Sequence, residues 1–268
     1  MAITSRDTLI SALASSFDSA YMKVSATTVA GFWYSLFRTA GMPGAAATAT
    51  TGSGNTCSRT LAGALNIPAA SNTTYLMGYN ASSTIAGTLR ISDRLVETSG
   101  LSLVTTGNQT VNTVTLPTRA SSGVGVELWL DIIAAGGTTA SATVTCTYYN
   151  QNGSGDGTRT ATLVGGIPAT GTPVNRNYQF ALQAGDTGVT QALTFSSGTS
   201  TTTAGNAGIV LRRSLAQGVC SYSNGGFTQG YAETALQVVP DAACLEFQYL
   251  STTTTSGSVQ GLVVLGQI

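Results

Sequence analysis

The chain has 268 residues, of which 42% are hydrophobic and only 8% charged, and its formal net charge is zero. That apolar content supplies a sizeable core and excludes a disordered chain. The absence of histidine excludes Ser-His-Asp and Cys-His catalysis and most metal sites.

Lys23 is the single lysine, and Arg212–Arg213 is the densest basic cluster. DNA binding draws its affinity from many such cations on phosphates, so no specific nucleic acid is expected. A weakly charged surface suits a protein packed against neighbours, because a free small enzyme gains solubility from net charge. No stretch approaches the roughly 20 apolar residues of a membrane helix, so no membrane partner is expected. Met1–Ser16 lacks a basic segment followed by an apolar run, which predicts synthesis and retention in a cytoplasm.

The first predicted element is a helix over Ser5–Phe17, capped by Ser5, with Leu9, Ile10, Leu13, Ala14 and Phe17 as its apolar stripe. A second helix is predicted over Thr28–Ala40, where Val29, Phe32, Trp33, Leu36 and Phe37 recur at helical spacing. Gly41 and Pro43 end it. This aromatic stripe packs either on the protein's own β core or, as an N-terminal arm, on a neighbouring subunit. Gly44–Gly54 reads as a flexible link. Residues 1–68 are therefore expected to be a helical arm and link, and residues 69–268 a β domain. A boundary between two β subdomains is possible near 117–123.

From Tyr75 onward short alternating runs separated by Gly, Thr, Ser and Asn turns predict strands. The expected fold is mainly β, an antiparallel sandwich or jelly-roll-like domain with a short helical arm. The clearest run is Ser122–Gly165. Val124, Val126, Leu128, Leu130 and Ile132 share one strand face; Gly125, Glu127, Trp129 and Asp131 share the other, which reads as an outward polar face. Val144, Cys146 and Tyr148 form the inward face of the next strand, and Asn150–Gly157 is its hairpin loop. That loop lacks the acid ladder of an EF-hand and opens no helix, so it is read as a hairpin tip, not an ion or phosphate site.

Glu127 and Asp131 are about 13 Å apart along an extended strand, beyond glycosidase separations. No enzyme activity and no cofactor are expected. Trp129, Tyr148 and Tyr149 offer the alternative of a carbohydrate- or receptor-binding module. Arg90, Asp93 and Arg94 form a local charge group suited to bidentate pairs within the chain or across an interface. Cys57, Cys146, Cys220 and Cys244 are expected as buried free thiols, with a Cys220–Cys244 disulfide as the alternative.

The start MAITSRDTLISALA with GFWYSLFRTAG, the block GTLRISDRL…GLSLVTTGNQTVNTVTLPTR, and VELWLDI…ATVTCTYYNQNGSGDGTRTATL together resemble tailed-bacteriophage virion structural proteins. The resemblance implies a cement or decoration protein of the capsid shell, made in the host bacterial cytoplasm and ending in the virion. Its implied partners are the major capsid protein, other virion proteins and copies of itself in a homo-oligomer. A tail-tube or neck component is the alternative. The candidate interface residues are Phe32, Trp33, Leu36, Phe37, Arg90, Asp93, Arg94 and Trp129, with Trp33 and Phe37 as aromatic anchors.

Overall fold

The structure is a computed structural model that describes residues 3–25, 27–49, 52–70 and 72–268. Helix α1 (Arg6–Ala14) is followed by β1 (Phe17–Val24), β2 (Trp33–Ser35), β3 (Gly41–Met42), β4 (Gly54–Thr56), β5 (Thr74–Ser83) and β6 (Gly87–Thr98). Then come β7 (Leu101–Ser102), β8 (Gly107–Thr110), β9 (Glu127–Ala134), β10 (Val144–Asn150), β11 (Arg159–Leu163) and β12 (Arg176–Ala181). The last strands are β13 (Val189–Ser197), β14 (Asn206–Cys220), β15 (Gly225–Gln229), β16 (Val238–Val239), β17 (Leu245–Ser251) and β18 (Ser258–Gln267). The protein is mainly antiparallel β with a short N-terminal helix, as the sequence predicts. Its chain divides into two compact units. The first comprises Met1–Ala47, Ser58–Asp93 and Leu215–Ile268; the second comprises Thr48–Cys57 and Arg94–Ser214.

The first unit is a β-sandwich. One sheet runs β15–β5–β18–β1–β3, and β16 also pairs with β5. The facing layer holds β2, β17 and the first part of β6, with Tyr249 opposite both Tyr34 and Leu89. Apolar side chains from both layers meet in one core that includes Tyr21, Leu76, Tyr79, Leu89, Phe247 and Val263. At its centre the Tyr21 and Phe247 rings stack with centroids 4.0 Å apart. Strand β1 explains why its alternation was not legible. Ser19, Tyr21 and Lys23 point inward while Met22 and Val24 are exposed, so burial alternates but hydrophobicity does not.

The predicted second helix is corrected. Residues 28–40 form turns around β2, which pairs with β17 at Trp33↔Leu250, Tyr34↔Tyr249 and Ser35↔Gln248. Leu36 N continues the ladder by donating to Phe247 O at 2.9 Å. The helical spacing lost to a run of three aromatics that fits a pleated sheet, with a waiting partner strand. Gly31, at φ +82°, sets the turn before it. Helix α1 is also shorter than predicted, since Phe17 already belongs to β1. Ser5 caps it as expected, accepting from Thr8 N at 3.2 Å. Its packed side is Ala12 with Leu9, against Tyr75 and Met77. Of the predicted stripe, Leu9 packs inward, but Ile10 and Leu13 are 55% and 42% exposed and Ala14 is exposed too, so the helix turns Ala12, not the centre of that stripe, to the sheet. The expected helical arm over 1–68 thus holds one helix, with β1–β4 inside the same span. Within the predicted link, Ala46 and Ala49 are buried, and residues 50 and 51 lie outside the described residues.

The second unit is a curled antiparallel sheet in the order β13–β10–β11–β12–β9–β14–β7. Its ends are drawn together. Val111 N, just past β8, donates to Leu193 O of β13 at 2.9 Å, and Thr106 bridges Ser197. Gln109 completes the edge: its Oε1 accepts from Ser102 N and its Nε2 donates to Ser102 O, both at 2.8 Å. The predicted β10–β11 hairpin is present, with Cys146 opposite Ala161. Strand β9 pairs with β12 and β14 instead of its sequence neighbour β10. At Gly208 an added Cβ would lie 1.8 Å from Thr98 O, so only glycine lets that backbone approach.

Candidate functional site

The sequence keeps few charges, and the fold turns many of them inward. In the second unit Asp131 is the hub. Arg212 Nη2 donates to both its oxygens, at 2.8 and 2.6 Å. Arg94 Nη1 reaches Oδ2 at 3.2 Å, and Asn177 Nδ2 reaches Oδ1 at 2.6 Å. Arg94 also pairs with Glu97 at 2.9 Å. All of these side chains are buried, as is Trp129, whose ring lies 5.5 Å from the Arg212 guanidinium carbon. Trp129 Nε1 donates to Glu127 Oε2 at 2.8 Å. The expected outward face of β9 is therefore corrected: Trp129 and Asp131 are interior, because arginines from β6 and β14 neutralise the acid there. A buried Trp129 offers no stacking surface for a sugar or a partner.

A second polar cluster closes the β10–β11 hairpin. Asp186 accepts from Tyr148 Oη at 2.6 Å, Asn150 Nδ2 at 2.7 Å and Arg159 Nη2 at 3.0 Å. Burial pushes the Asp186 carboxyl up, but those three donors together outweigh it and hold it below the usual carboxylate range. Burial, and then the hydrogen bond to Asp186, push Tyr148 up to about 12. Asp156 accepts from Asn150 and Asn152 at 2.8 and 2.7 Å, which fixes the loop as a hairpin tip. Tyr148 is likewise committed to the interior, and Tyr149 is half-buried.

In the first unit the structure brings two predicted residues together: the Arg90 guanidinium carbon lies 4.8 Å from the centre of the half-buried Trp33 ring. Phe32 is half-buried beside them in sequence. Leu36 and Phe37 are fully buried, which corrects their assignment as docking residues, since an anchor must reach its partner. Asp93 is also buried and accepts from Cys244 N at 2.9 Å. All four cysteines are buried free thiols, so the alternative Cys220–Cys244 disulfide is not formed. Burial raises the Cys146 thiol far above its ordinary range, which makes it inert.

Sequence reasoning passed over Lys23. It is 1% exposed, and its Nζ donates to Thr39 O and Gly44 O at 3.2 Å each. Burial lowers its pKa from 10.5 to about 8. Between those values the unfolded chain binds more protons than the folded one, so this residue's destabilisation is relieved as pH rises through the window. Lys23→Met is expected to be more stable than the parent at pH 7 by on the order of 2 kcal/mol, with the gap shrinking toward pH 10. The buried thiols of Cys146 and Cys220 act in the opposite direction, so the readout is the difference between the two proteins in parallel urea titrations. A gap independent of pH would refute the assignment.

The accessible counterpart is the outer face of the six-stranded sheet in the first unit. Cross-strand rows place Gly226, Ser82, Gln260, Met22 and Met42 side by side, with Thr228, Asn80, Leu262 and Ala20 next to them. A shallow groove of about 600 Å³ lies over these strands. No charged side chain lines it. Among the described residues no cluster of three or more His, Cys, Asp or Glu could hold a metal, and no helix is long and apolar enough to cross a membrane.

No family model matches the chain, and no curated protein matches it. Among solved structures it is similar to the infectious bursal disease virus VP2 subviral particle, at 10% identity over 94% of this chain and 80% of that one, with a TM-score of 0.21. It is also similar to the Gx strain of the same virus, at 9% identity over the same shares of both chains and a TM-score of 0.19. At those TM-scores neither likeness establishes a common fold.

Proposed function

We propose that this chain is a non-enzymatic structural component of a virion, acting as a cement or decoration protein that joins subunits of a phage shell. One observation carries the reading: the chain places much of its small charge complement inside. Lys23, Asp93, Arg94, Glu97, Asp131, Arg176, Arg212 and Glu246 are all buried. What remains outside is a surface of Thr, Ser, Asn, Gln and Gly with few charges, which can approach like copies without repulsion. The buried ion pairs meanwhile hold the strands in one arrangement, as a repeated building block requires.

The working principle is multiplicity. A modest free energy per contact, repeated over a symmetric lattice, resists internal pressure that no single contact could. Partners on this reading are the major capsid protein, other virion proteins and further copies of the chain. The test is assembly of the full chain, followed by sedimentation velocity and electron microscopy, alone and with phage shells. Concentration-dependent oligomers or ordered decoration of shells is the expected result. A chain that stays monomeric at its highest soluble concentration and adds to no shell would sink the reading.

A further inference from the structure

Beyond that role, we propose that Asn224 is a modification site, converted by the backbone of Gly225 to aspartate and isoaspartate through a cyclic imide. The sequence holds two Asn-Gly dipeptides, Asn152-Gly153 and Asn224-Gly225. Each fills the last two positions of a four-residue turn. Gly225 N donates to Tyr222 O at 3.0 Å, between β14 and β15, and Gly153 N donates to Asn150 O at 2.9 Å, after β10. In the β14–β15 turn the backbone itself selects the pair. Asn224 has φ +61°, in the left-handed region that asparagine enters more readily than most residues. At Gly225 an added Cβ would lie 2.8 Å from Tyr222 O, so a side chain there would crowd the turn. The same missing side chain leaves the Gly225 nitrogen open to the neighbouring carboxamide.

The two dipeptides differ in what restrains the asparagine. Both asparagines are exposed. Asn152 Nδ2 donates to Asp156 Oδ2 at 2.7 Å, and Asn152 N donates to Asn150 Oδ1 at 3.0 Å. Asp156 is held in turn by Asn150 Nδ2 at 2.8 Å. Among the described residues no hydrogen bond restrains the Asn224 side chain. Once its turn opens, the Gly225 nitrogen bonds to Asn224 Cγ and gives up its proton, while the Cγ–Nδ2 bond breaks and ammonia leaves. Water then opens the imide. Attack at Cγ gives aspartate; attack at the main-chain carbonyl gives isoaspartate, with an added methylene in the backbone. The net change is water in and ammonia out, so no oxidant or reductant is needed. Opening an exposed hairpin tip costs little, but at Asn152 two further hydrogen bonds must break as well. Either product brings a carboxylate to the surface of a formally neutral chain, beside a depression whose lining of Ser82, Ser83, Thr84, Ser258 and Gln260 carries no charge.

The test is peptide mapping by mass spectrometry on the full chain, incubated folded at mildly alkaline pH and, in parallel, in denaturing urea. In the folded chain Asn224 is expected to convert about tenfold faster than Asn152, the factor that two additional hydrogen bonds supply. Isoaspartate accompanies aspartate at position 224, as the imide requires. In urea the two rates converge, because turn and tether are both gone. Asp156→Ala removes the tether and should speed Asn152 toward the rate of Asn224, with circular dichroism confirming the fold. Mapping of the parent protein decides the proposal even if that variant folds poorly. An Asn224 that stays intact in the folded chain while it converts in urea overturns the proposal. So does an Asn152 that converts as fast as Asn224 in the folded chain. Aspartate without isoaspartate would mean direct hydrolysis and would equally overturn it.

Discussion

Asp131→Ala is expected to destabilise the second unit by about 3–5 kcal/mol, the cost of removing one partner from a buried ion-pair network. The carboxylate faces Arg94 at 3.2 Å and Arg212 at 2.6 Å, and all three side chains are shut off from water. Removing the acid takes a carboxylate away from two buried guanidiniums at once, while the Arg94–Glu97 ion pair is kept. The 2.6 Å hydrogen bond from Asn177 Nδ2 to Asp131 Oδ1 is lost in the same step. Asp131→Asn keeps the shape and one acceptor, so its cost should fall between the parent and the alanine variant. Denaturant titration gives the magnitude, and hydrogen exchange gives the place. Loss of protection should concentrate in β9, β12 and β14, whose backbones pair at Asp131↔Asn177 and Asp131↔Gly208. A loss below about 1 kcal/mol would mean that water reaches the network and screens it.

Phe247→Ala should cost the first unit a comparable amount, about 3–5 kcal/mol, by opening a cavity in the centre of the sandwich. Phe247 is 1% exposed, stacked on Tyr21 at 4.0 Å and 6.5 Å from the Tyr79 ring. Phe227 reaches the same group edge-on against Tyr79, with centroids 5.1 Å apart. Stacked and edge-on rings contribute beyond their buried area, so the loss should exceed that of an isolated aliphatic truncation. Phe247→Leu refills much of the volume and is expected to recover more than half of the deficit. Near-ultraviolet circular dichroism should lose its tyrosine signal in the alanine variant well before global unfolding. An unchanged spectrum and midpoint would show that the ring stack does not organise this core.

These two sites also change what truncation can report. Deleting residues 1–43 would remove β1, which pairs with β18 from Phe17↔Leu265 to Val24↔Ser258, together with buried Tyr21, Leu36 and Phe37. Such a deletion tests whether the first unit folds, and says little about docking.

The sequence by itself determined the class of the molecule. Low charge, alternating runs and glycine-rich turns dictate an antiparallel β protein. The β10–β11 hairpin, the capped N-terminal helix and the buried thiols follow from local chemistry alone. Strand β9 was visible for the same reason, because Leu128, Leu130 and Ile132 alternate strictly. Its other face was misread because Glu127, Trp129 and Asp131 resemble a solvated strand face. Arg94 and Arg212, which make that face interior, are distant in sequence and meet it only through β6 and β14. The Thr28–Ala40 stripe failed likewise: helical spacing was real, but β17 offered Trp33–Ser35 an edge to join. Local pattern specifies which segments pair; only the tertiary structure decides which faces are left to water, because burial depends on partners that sequence distance hides.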